Sequence, residues 1–336
     1  MPRSRRNRTT SLGLTFVVVA VICAGLVLLA SFNEPASSPS KTPALLSTPS
    51  GTVTAVATEN APAAGRITPT VAQSPAGAAR NTMGMVVLDV GQGDSLVVRS
   101  PAGKTMLIDA GESEKVAQSV VLPMLRKLGV SRLDYMVLTH PHQDHVGGMP
   151  TVLSALPTDT AVLSGQVSTN VAYRNWLTLI QEGKAKALKA GRGTVLDIGG
   201  GASAQVLNPP DRVFDNDNDN SLVLRLVYDQ VAFLLMGDAE RDAIAALLQA
   251  SADLKSDVLK VGHHGSSNAT TDALLNAANP RYAAISVGAN NPFGHPHRET
   301  MELLNKHSVE VYRTDRDGSI TIETDGKSVT VFTTKG

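Results

Sequence analysis

The feature that most constrains this chain is His140-Pro141-His142-Gln143-Asp144-His145, set directly after the apolar run Tyr135–Leu138. Three imidazoles and a carboxylate within six residues form the donor set that Zn²⁺ and similar divalent ions accept. An extended segment points alternate side chains the same way, so His140 and His142 are placed to share one ion. Asp144 and His145 then turn towards a second. Gly147 and Gly148 follow, and glycine's conformational freedom predicts a tight turn into a helix there.

The surroundings of this motif are an alternation of short β-branched runs and helical segments from Met85 onward. Strands are predicted at Met85–Val90, Ser95–Ser100, Thr105–Asp109, Tyr135–Thr139, Ala161–Ser164, Ala204–Leu207, Ser221–Tyr228, Val231–Met236, Val258–Val261, Ala283–Val287, Val309–Tyr312, Ser319–Glu323 and Ser328–Thr333. Helices are predicted near Lys115–Leu128, Gly148–Leu156, Tyr173–Glu182, Glu240–Ser251, Thr271–Ala277 and Arg298–Lys306. Many strands with interspersed helices indicate an α/β domain of more than one layer. Asp325-Gly326 between the last two strands reads as a hairpin.

The H-x-H-x-D-H spacing is the signature of the metallo-β-lactamase superfamily, which the chain resembles over residues 84–334. The resemblance implies an α/β fold, a four-layer αββα sandwich with the metals at one edge of its two sheets. It also implies further site residues. Asp109, in Leu107-Ile108-Asp109-Ala110-Gly111, matches an aspartate that hydrogen-bonds the metal-binding loop. Asp238, in Leu235-Met236-Gly237-Asp238, matches a bridging ligand. A late histidine ligand falls in Val261-Gly262-His263-His264-Gly265-Ser266; His264 is taken as the ligand and His263 as a supporting or substrate-contacting side chain.

Within that superfamily, Leu88-Asp89-Val90-Gly91-Gln92-Gly93-Asp94-Ser95 is similar to the hydrolase domain of ComEC-type DNA-uptake competence proteins. So are Lys260-Val261-Gly262-His263-His264-Gly265-Ser266, Asn291-Pro292-Phe293-Gly294-His295-Pro296-His297 and Arg313-Thr314-Asp315. A choline-phosphate esterase of cell surfaces is similar in its metal motifs. Two departures stand out. The chain has a single apolar span rather than a polytopic channel domain. It also has no histidine between His145 and His263, where many superfamily members place one. Asn218-Asp219-Asn220-Ser221 stands at about that point. Asn220 either offers a weak oxygen ligand, holds a bound water, or simply turns the chain before the strand Ser221–Tyr228.

The implied centre therefore holds two divalent ions, zinc or alternatively manganese. Asp144, His145, Asp238 and His264 surround one. His140, His142 and the shared Asp238, with Asn220 or water, surround the other, which is expected to bind more weakly. Such a pair, at roughly 3.5–4 Å, lowers the pKa of a bridging water to near 7. Asp144 or Asp238 would orient the resulting hydroxide, while His295 or His263 would protonate a leaving oxygen or bond the phosphoryl group. His297 is expected at a helix start, and His307 near a helix end, where its charge suits the dipole. The expected function is a metal-dependent phosphodiesterase or nuclease-like hydrolase acting on nucleic acid or a surface polymer. Hydrolysis of lactams, thioesters or lactones is the first competitor, although aspartate rather than cysteine at position 238 departs from the commonest β-lactamase pattern. A non-catalytic nucleic-acid-binding competence accessory is the second.

Composition sharpens this. Residues 1–82 carry seven Arg and Lys against two Glu, which leaves 23 basic and 28 acidic side chains, a net of −5, for the remainder. A broad basic nucleic-acid surface is thus disfavoured, while a local groove is not. A single cysteine excludes a disulfide scaffold and thiolate zinc sites. Asp215-Asn216-Asp217-Asn218-Asp219-Asn220 imitates an EF-hand start, but Asn220 stands where Gly belongs and Leu226 where Glu belongs. Gly91–Ser95 lacks the lysine of a P-loop, and no G-x-S-x-G elbow occurs.

The N-terminus reads differently. Leu12–Ala30 is an uncharged apolar run of 19 residues, preceded by Arg3, Arg5, Arg6 and Arg8. As a helix it would be roughly 28 Å long, close to the ~30 Å hydrocarbon core. Residues 1–31 are therefore expected to be a signal anchor, or else a signal peptide, with the N-terminus inside. Residues 32–83, rich in Pro, Ser, Thr and Ala, read as a disordered tether reaching roughly 40 Å. The expected partners are the membrane, through this span, and the phosphodiester substrate. The folded part would be extracytoplasmic, anchored or secreted if cleavage occurs. Oligomeric state is left open.

Overall fold

The computed structural model describes residues 81–335. The apolar run Leu12–Ala30 and nearly all of the tether, and with them the expected span, lie outside the described residues. Among the described residues no helix is long and apolar enough to cross a membrane.

The first half of the domain builds most of one sheet from β1 (Met83–Val87), β2 (Leu96–Arg99), β3 (Thr105–Ile108), β4 (Leu133–Val137), β5 (Thr158–Leu163) and β6 (Lys186–Lys189). The second sheet follows from β7 (Val195–Gly199), β8 (Ala202–Asn208), β9 (Val223–Tyr228), β10 (Val231–Leu235), β11 (Val258–Lys260), β12 (Tyr282–Ile285) and β13 (Glu310–Arg313). The chain then returns with the hairpin β14 (Ile320–Thr324) and β15 (Val329–Thr333), which pairs onto β1. The strand orders are β15-β14-β1-β2-β3-β4-β5-β6 and β13-β12-β11-β10-β9-β8-β7.

Alternation along each strand creates the layers. Met83, Met85 and Val87 of β1 share a buried cluster with Leu224 and Leu226 of β9 and with Val231, Phe233 and Leu235 of β10, so the two sheets face each other. Val86 and Leu88 point the other way, onto a cluster with Val121, Leu125, Val152 and Trp176 from helices. On the far side, Leu234, Met236 and Leu259 meet Ile244, Leu247, Leu274 and Leu304 from helices. The result is helix, sheet, sheet, helix. Each fully buried side chain of the size of Phe233 contributes roughly 1.5–3 kcal/mol through burial.

Two strands escaped the sequence reading. β6, Lys-Ala-Leu-Lys, is an edge strand and largely exposed, so it shows no apolar alternation; its lysines keep the free edge from pairing. β7 alternates only as Leu196 and Ile198, and turns back into β8. Short helical turns at Gln143–Val146 and Thr314–Asp317 also escaped it, because four residues hold too little periodicity to read.

What positions the site is strand direction. β3 and β4 run parallel in one sheet, and β10, β11 and β12 run parallel in the other. Their C-terminal ends release Asp109, the histidine loop, Asp238 and the His263-His264 turn. Leu222 N donates to Thr139 O at 2.9 Å and ties the two sheets together at this edge.

Candidate metal centre

Asp109 organises the loop. It is fully buried, with a left-handed backbone (φ 57°). Thr139 N donates to its Oδ1 at 2.8 Å and Thr139 Oγ1 to its Oδ2 at 2.6 Å. His145 Nδ1 lies 2.8 Å from the same Oδ2. One carboxylate thus holds both ends of the loop and fixes the His145 tautomer, leaving Nε2 to face the site. The chain is extended through His142 and then makes one helical turn, Gln143–Val146. That change of direction separates Asp144 and His145 from His140 and His142.

The two glycines after the loop act differently from the sequence expectation. Both are right-handed (φ −56° and −90°), so no special turn is required of them. They are needed for close approach: a Cβ on Gly147 would stand 2.0 Å from Glu112 O, and one on Gly148 2.2 Å from Ala110 O. Gly93 does the same beneath the loop. Its Cβ would stand 2.2 Å from Asp144 O, and Asp94 N donates to that carbonyl at 3.2 Å.

Asp144, His145, Asp238 and His264 each offer one donor atom, and these atoms all lie within 4.8 Å of one another. His145 Nε2 is 3.2 Å and His264 Nε2 3.6 Å from Asp238 Oδ2, and His264 Nε2 is 3.1 Å from Asp144 Oδ2. His140 Nε2 lies 3.8 Å from the same Asp238 Oδ2. The His142 ring stands edge-on to that of His140 with centroids 4.6 Å apart, and its Nε2 lies 4.0 Å from Asp217.

These atoms fit a cation. His140 Nε2, His145 Nε2 and Asp238 Oδ1 are buried without a hydrogen-bond partner. Each such orphan costs roughly 1–3 kcal/mol unless something accepts its lone pair. Charge points the same way. Burial alone would raise the carboxyls of Asp144 and Asp238, yet His145 and the other imidazoles hold both below the usual range. Burial alone would lower the imidazoles, yet the carboxylates push His145 well up and His264 to about 10. His140 is held well down by burial and then by the charge of His145, which Asp238 only partly offsets. The metal-free pocket therefore recruits protons onto two of its imidazoles. A divalent cation supplies that charge and displaces those protons.

Beneath the centre lies an ion pair whose role the sequence reading missed. Lys260 Nζ is 2.8 Å from Asp94 Oδ2, and both side chains are 1% exposed. Lys260 also donates to Val261 O at 2.9 Å. Asp94 Oδ1 lies 3.5 Å from His264 Nδ1, which donates to Ser286 O at 2.9 Å. Against the effect of burial, Lys260 brings the Asp94 carboxyl down to about 2. The available signal was a lysine within the apolar run Val258-Leu259-Lys260-Val261, which demands a buried anion. Asp94, Asp109 and His145 also approach one another closely, but Lys260 and Thr139 already occupy the two carboxylates.

The other sequence candidates sit as follows. His263 Nδ1 is 2.8 Å from Glu240 Oε1, and its Nε2 is 3.8 Å from Asp238 Oδ2. His295 reaches the rim, its ring 5.4 Å from that of His263 and 6.3 Å from that of His264. Its backbone is clamped by Asn291, which accepts from His295 N at 3.0 Å and donates to His295 O at 2.6 Å. Burial, then the neighbouring imidazoles, bring His295 down to about 4. It is neutral near pH 7, so it is suited to hydrogen-bonding a substrate rather than to proton donation. His297 stands at the start of the helix Arg298–Lys306, as expected, and its Nδ1 accepts from Ser267 N at 3.0 Å. His307 sits at that helix's C-terminus, 2.8 Å from Asp272. Asn220 is turned to its own loop: Oδ1 accepts from Phe214 N at 2.8 Å, and Nδ2 donates to Phe214 O at 2.8 Å and Asn216 O at 3.0 Å. Those bonds correct its reading as an oxygen ligand.

Comparison with known proteins agrees with this geometry. Residues 88–289 match the model of the metallo-beta-lactamase superfamily. The chain is 32% identical over 249 residues to ComE operon protein 3 of Bacillus subtilis, covering 70% of this chain and 32% of that protein. It is 30% identical over 251 residues to Competence protein ComA of Neisseria gonorrhoeae, covering 74% and 33%. It is 34% identical over 239 residues to Recombination protein 2 of Haemophilus influenzae, covering 70% and 28%. It thus spans about a third of the length of these relatives. With its histidine loop, the Asp238 carboxylate beside it and this homology to ComEC-type competence proteins, the chain belongs to the metallo-β-lactamase superfamily.

Proposed function

We propose that this protein is a metal-dependent phosphodiesterase whose folded domain, which begins with β1 at Met83, works outside the cytoplasm, tethered by residues 1–82, on nucleic acid or another phosphodiester polymer. The observation that carries the reading is the convergence of Asp144, His145, Asp238 and His264, with buried donor atoms that have no protein partner. His140 Nε2 meets the same Asp238 oxygen at 3.8 Å with the His142 ring beside it, which supports a second cation, both of them zinc or manganese.

Bound divalent cations supply Lewis acidity towards a phosphoryl oxygen and lower the pKa of water. The protein does the rest. Asp109 and Thr139 hold the loop rigid, so the donors need no rearrangement. Asp144 is the more exposed of the two carboxylates and orients the attacking water. His295, neutral and fixed by Asn291, donates a hydrogen bond to the phosphoryl group. Phe293 is exposed at the rim and stacks on His295 at 5.7 Å, giving an aromatic face for a base. Stacking of this kind contributes roughly 1–3 kcal/mol per base. Relatives named for competence and recombination support nucleic acid as the first substrate to assay. The four N-terminal arginines ahead of Leu12–Ala30 support the location.

The test uses the full chain loaded with zinc or manganese. Bis(p-nitrophenyl) phosphate and single-stranded DNA should be cleaved, with activity lost on chelation and restored by metal. Faster turnover of nitrocefin than of either phosphodiester would refute the substrate class. Tight DNA binding by fully loaded protein with no cleavage would favour the accessory role. An alkaline phosphatase fusion at the C-terminus should be active in cells, since that enzyme matures only outside the cytoplasm.

A further inference from the structure

His263 and His264 are adjacent, and only one of them belongs to the compact group formed with Asp144, His145 and Asp238. Both backbones are left-handed, at φ 46° and 53°. Two consecutive non-glycine residues in that region carry strain of roughly 1–3 kcal/mol each. What the strain achieves is divergence: the two rings are 71° apart in plane, with centroids 5.9 Å apart. His264 Nε2 points to Asp144. His263 Nε2 points to Asp238 Oδ2 at 3.8 Å, the distance at which His140 Nε2 meets the same oxygen.

A cation held by His140 and His142 would need a further protein donor. No histidine occurs between residues 146 and 262, and the carboxamide of Asn220 is engaged by Phe214 and Asn216. His263 is also prepared as a ligand is. Its Nδ1 is held by Glu240 at 2.8 Å, which leaves Nε2 free to face Asp238. Glu240 is itself fixed: Asn218 Nδ2 donates to its Oε1 at 2.8 Å and Asn216 Nδ2 to its Oε2 at 2.9 Å. Asp219 Oδ1 accepts from Glu240 N at 2.9 Å and Ala243 N at 3.0 Å, anchoring the start of the helix Arg241–Gln249. The Asn/Asp run that imitates an EF-hand thus clamps the carboxylate behind His263. A carboxylate behind an imidazole whose other nitrogen faces a shared carboxylate is the outer support typical of metal-ligating histidines.

We propose that the two histidines divide between the two cations. His264 joins Asp144, His145 and Asp238, while His263 is the third imidazole for the cation at His140 and His142, with Glu240 as its positioning residue. This rests on the two-cation part of the function proposed above and not on the phosphodiester substrate. The competing role for His263, proton donation to a leaving group, leaves the metal count unchanged.

The experiment measures metal, not turnover. The full chain is saturated with Zn²⁺, washed with a mild chelator, and assayed for metal content; Co²⁺ titration by visible absorption then resolves the two sites. The unmodified chain should hold two cations. His263→Ala should hold one, with the second affinity lowered at least 100-fold. Glu240→Gln should lower the same affinity roughly 10–100-fold while leaving the other site and the circular dichroism unchanged. It decides the matter if His263→Ala fails to fold. His264→Ala should empty the other site, with a different Co²⁺ spectrum. Two wild-type affinities in His263→Ala or in Glu240→Gln would overturn the assignment, as would a single cation in the unmodified chain. Correct metal counts without phosphodiester cleavage would leave it standing and refute only the substrate.

Discussion

Removing Lys260 tests how the metal centre is supported from below. The Lys260–Asp94 pair is 2.8 Å long and withdrawn from water on both sides. Lys260→Met keeps much of the stem's volume but leaves the Asp94 carboxylate without its cation. Breaking one partner of a buried pair costs about 3–5 kcal/mol. At roughly 2–4 °C per kcal/mol for a domain of this size, Tm should fall by roughly 6–20 °C. Lys260→Met combined with Asp94→Leu removes both charges and should recover most of that loss. The pair also has an acid signature. The Asp94 carboxyl is lowered in the fold to about 2 from 3.8, so its contribution is present above pH 4 and is lost as pH falls from 4 towards 2. Its size is roughly 2 kcal/mol, and it should vanish in Lys260→Met. Urea unfolding of the metal-free chain at pH 7, and at steps between pH 5 and 2, measures both effects. A loss under ~1 kcal/mol in the single variant, or a double variant no more stable than the single, would refute the reasoning.

Asp144→Ala should lose more hydrolysis than the ~10–100-fold cost of an outer partner while keeping its circular dichroism; full activity in metal-verified protein would remove Asp144 from the centre. Gly93→Ala puts a methyl 2.2 Å from Asp144 O at a backbone φ of 117°. It should cost roughly 1–3 kcal/mol by urea unfolding and weaken metal binding in the same protein. His295→Ala should lower kcat/KM roughly 10–100-fold through a lost charge-assisted bond. The pH profile between 5 and 8 should keep its shape, since burial and neighbouring imidazoles hold His295 neutral there and a bound cation only lowers it further; a lost limb would make it a proton donor. Residues 34–336 expressed alone should be soluble and as active as the full chain, and a folded, metal-loaded but inactive truncation would show that the N-terminus contributes to the site.

The metal loop was legible because its information is local. Three histidines and an aspartate follow one strand, and the strand's direction delivers them to one edge. The apolar alternation of β1, β9 and β10 was legible for the same reason: each strand buries one face against its opposite sheet. β6 was not, because an exposed edge strand needs no apolar face. Of the three readings open for Asn220 the turn is the one that stands, because its carboxamide engages backbone groups of Phe214 and Asn216 whose position the sequence does not show.

The sequence by itself determined the chemistry available: imidazoles and carboxylates in sets that attract divalent cations, on a two-period scaffold that must bury both sheets. Only the tertiary structure decided how those groups are supported. Lys260 and Asp94 are 166 positions apart, and nothing local to either names the other. Glu240, Asn216 and Asn218 back His263 because the helix Arg241–Gln249 and the loop before β9 meet at the edge of one sheet. Gly147 and Gly148 look like turn residues in one dimension and are clearance for the carbonyls of the loop after β3 in three. Local pattern encodes which side chains are polar or apolar. Desolvation, pairing and close approach depend on distances between segments, and those exist only once the two sheets have packed.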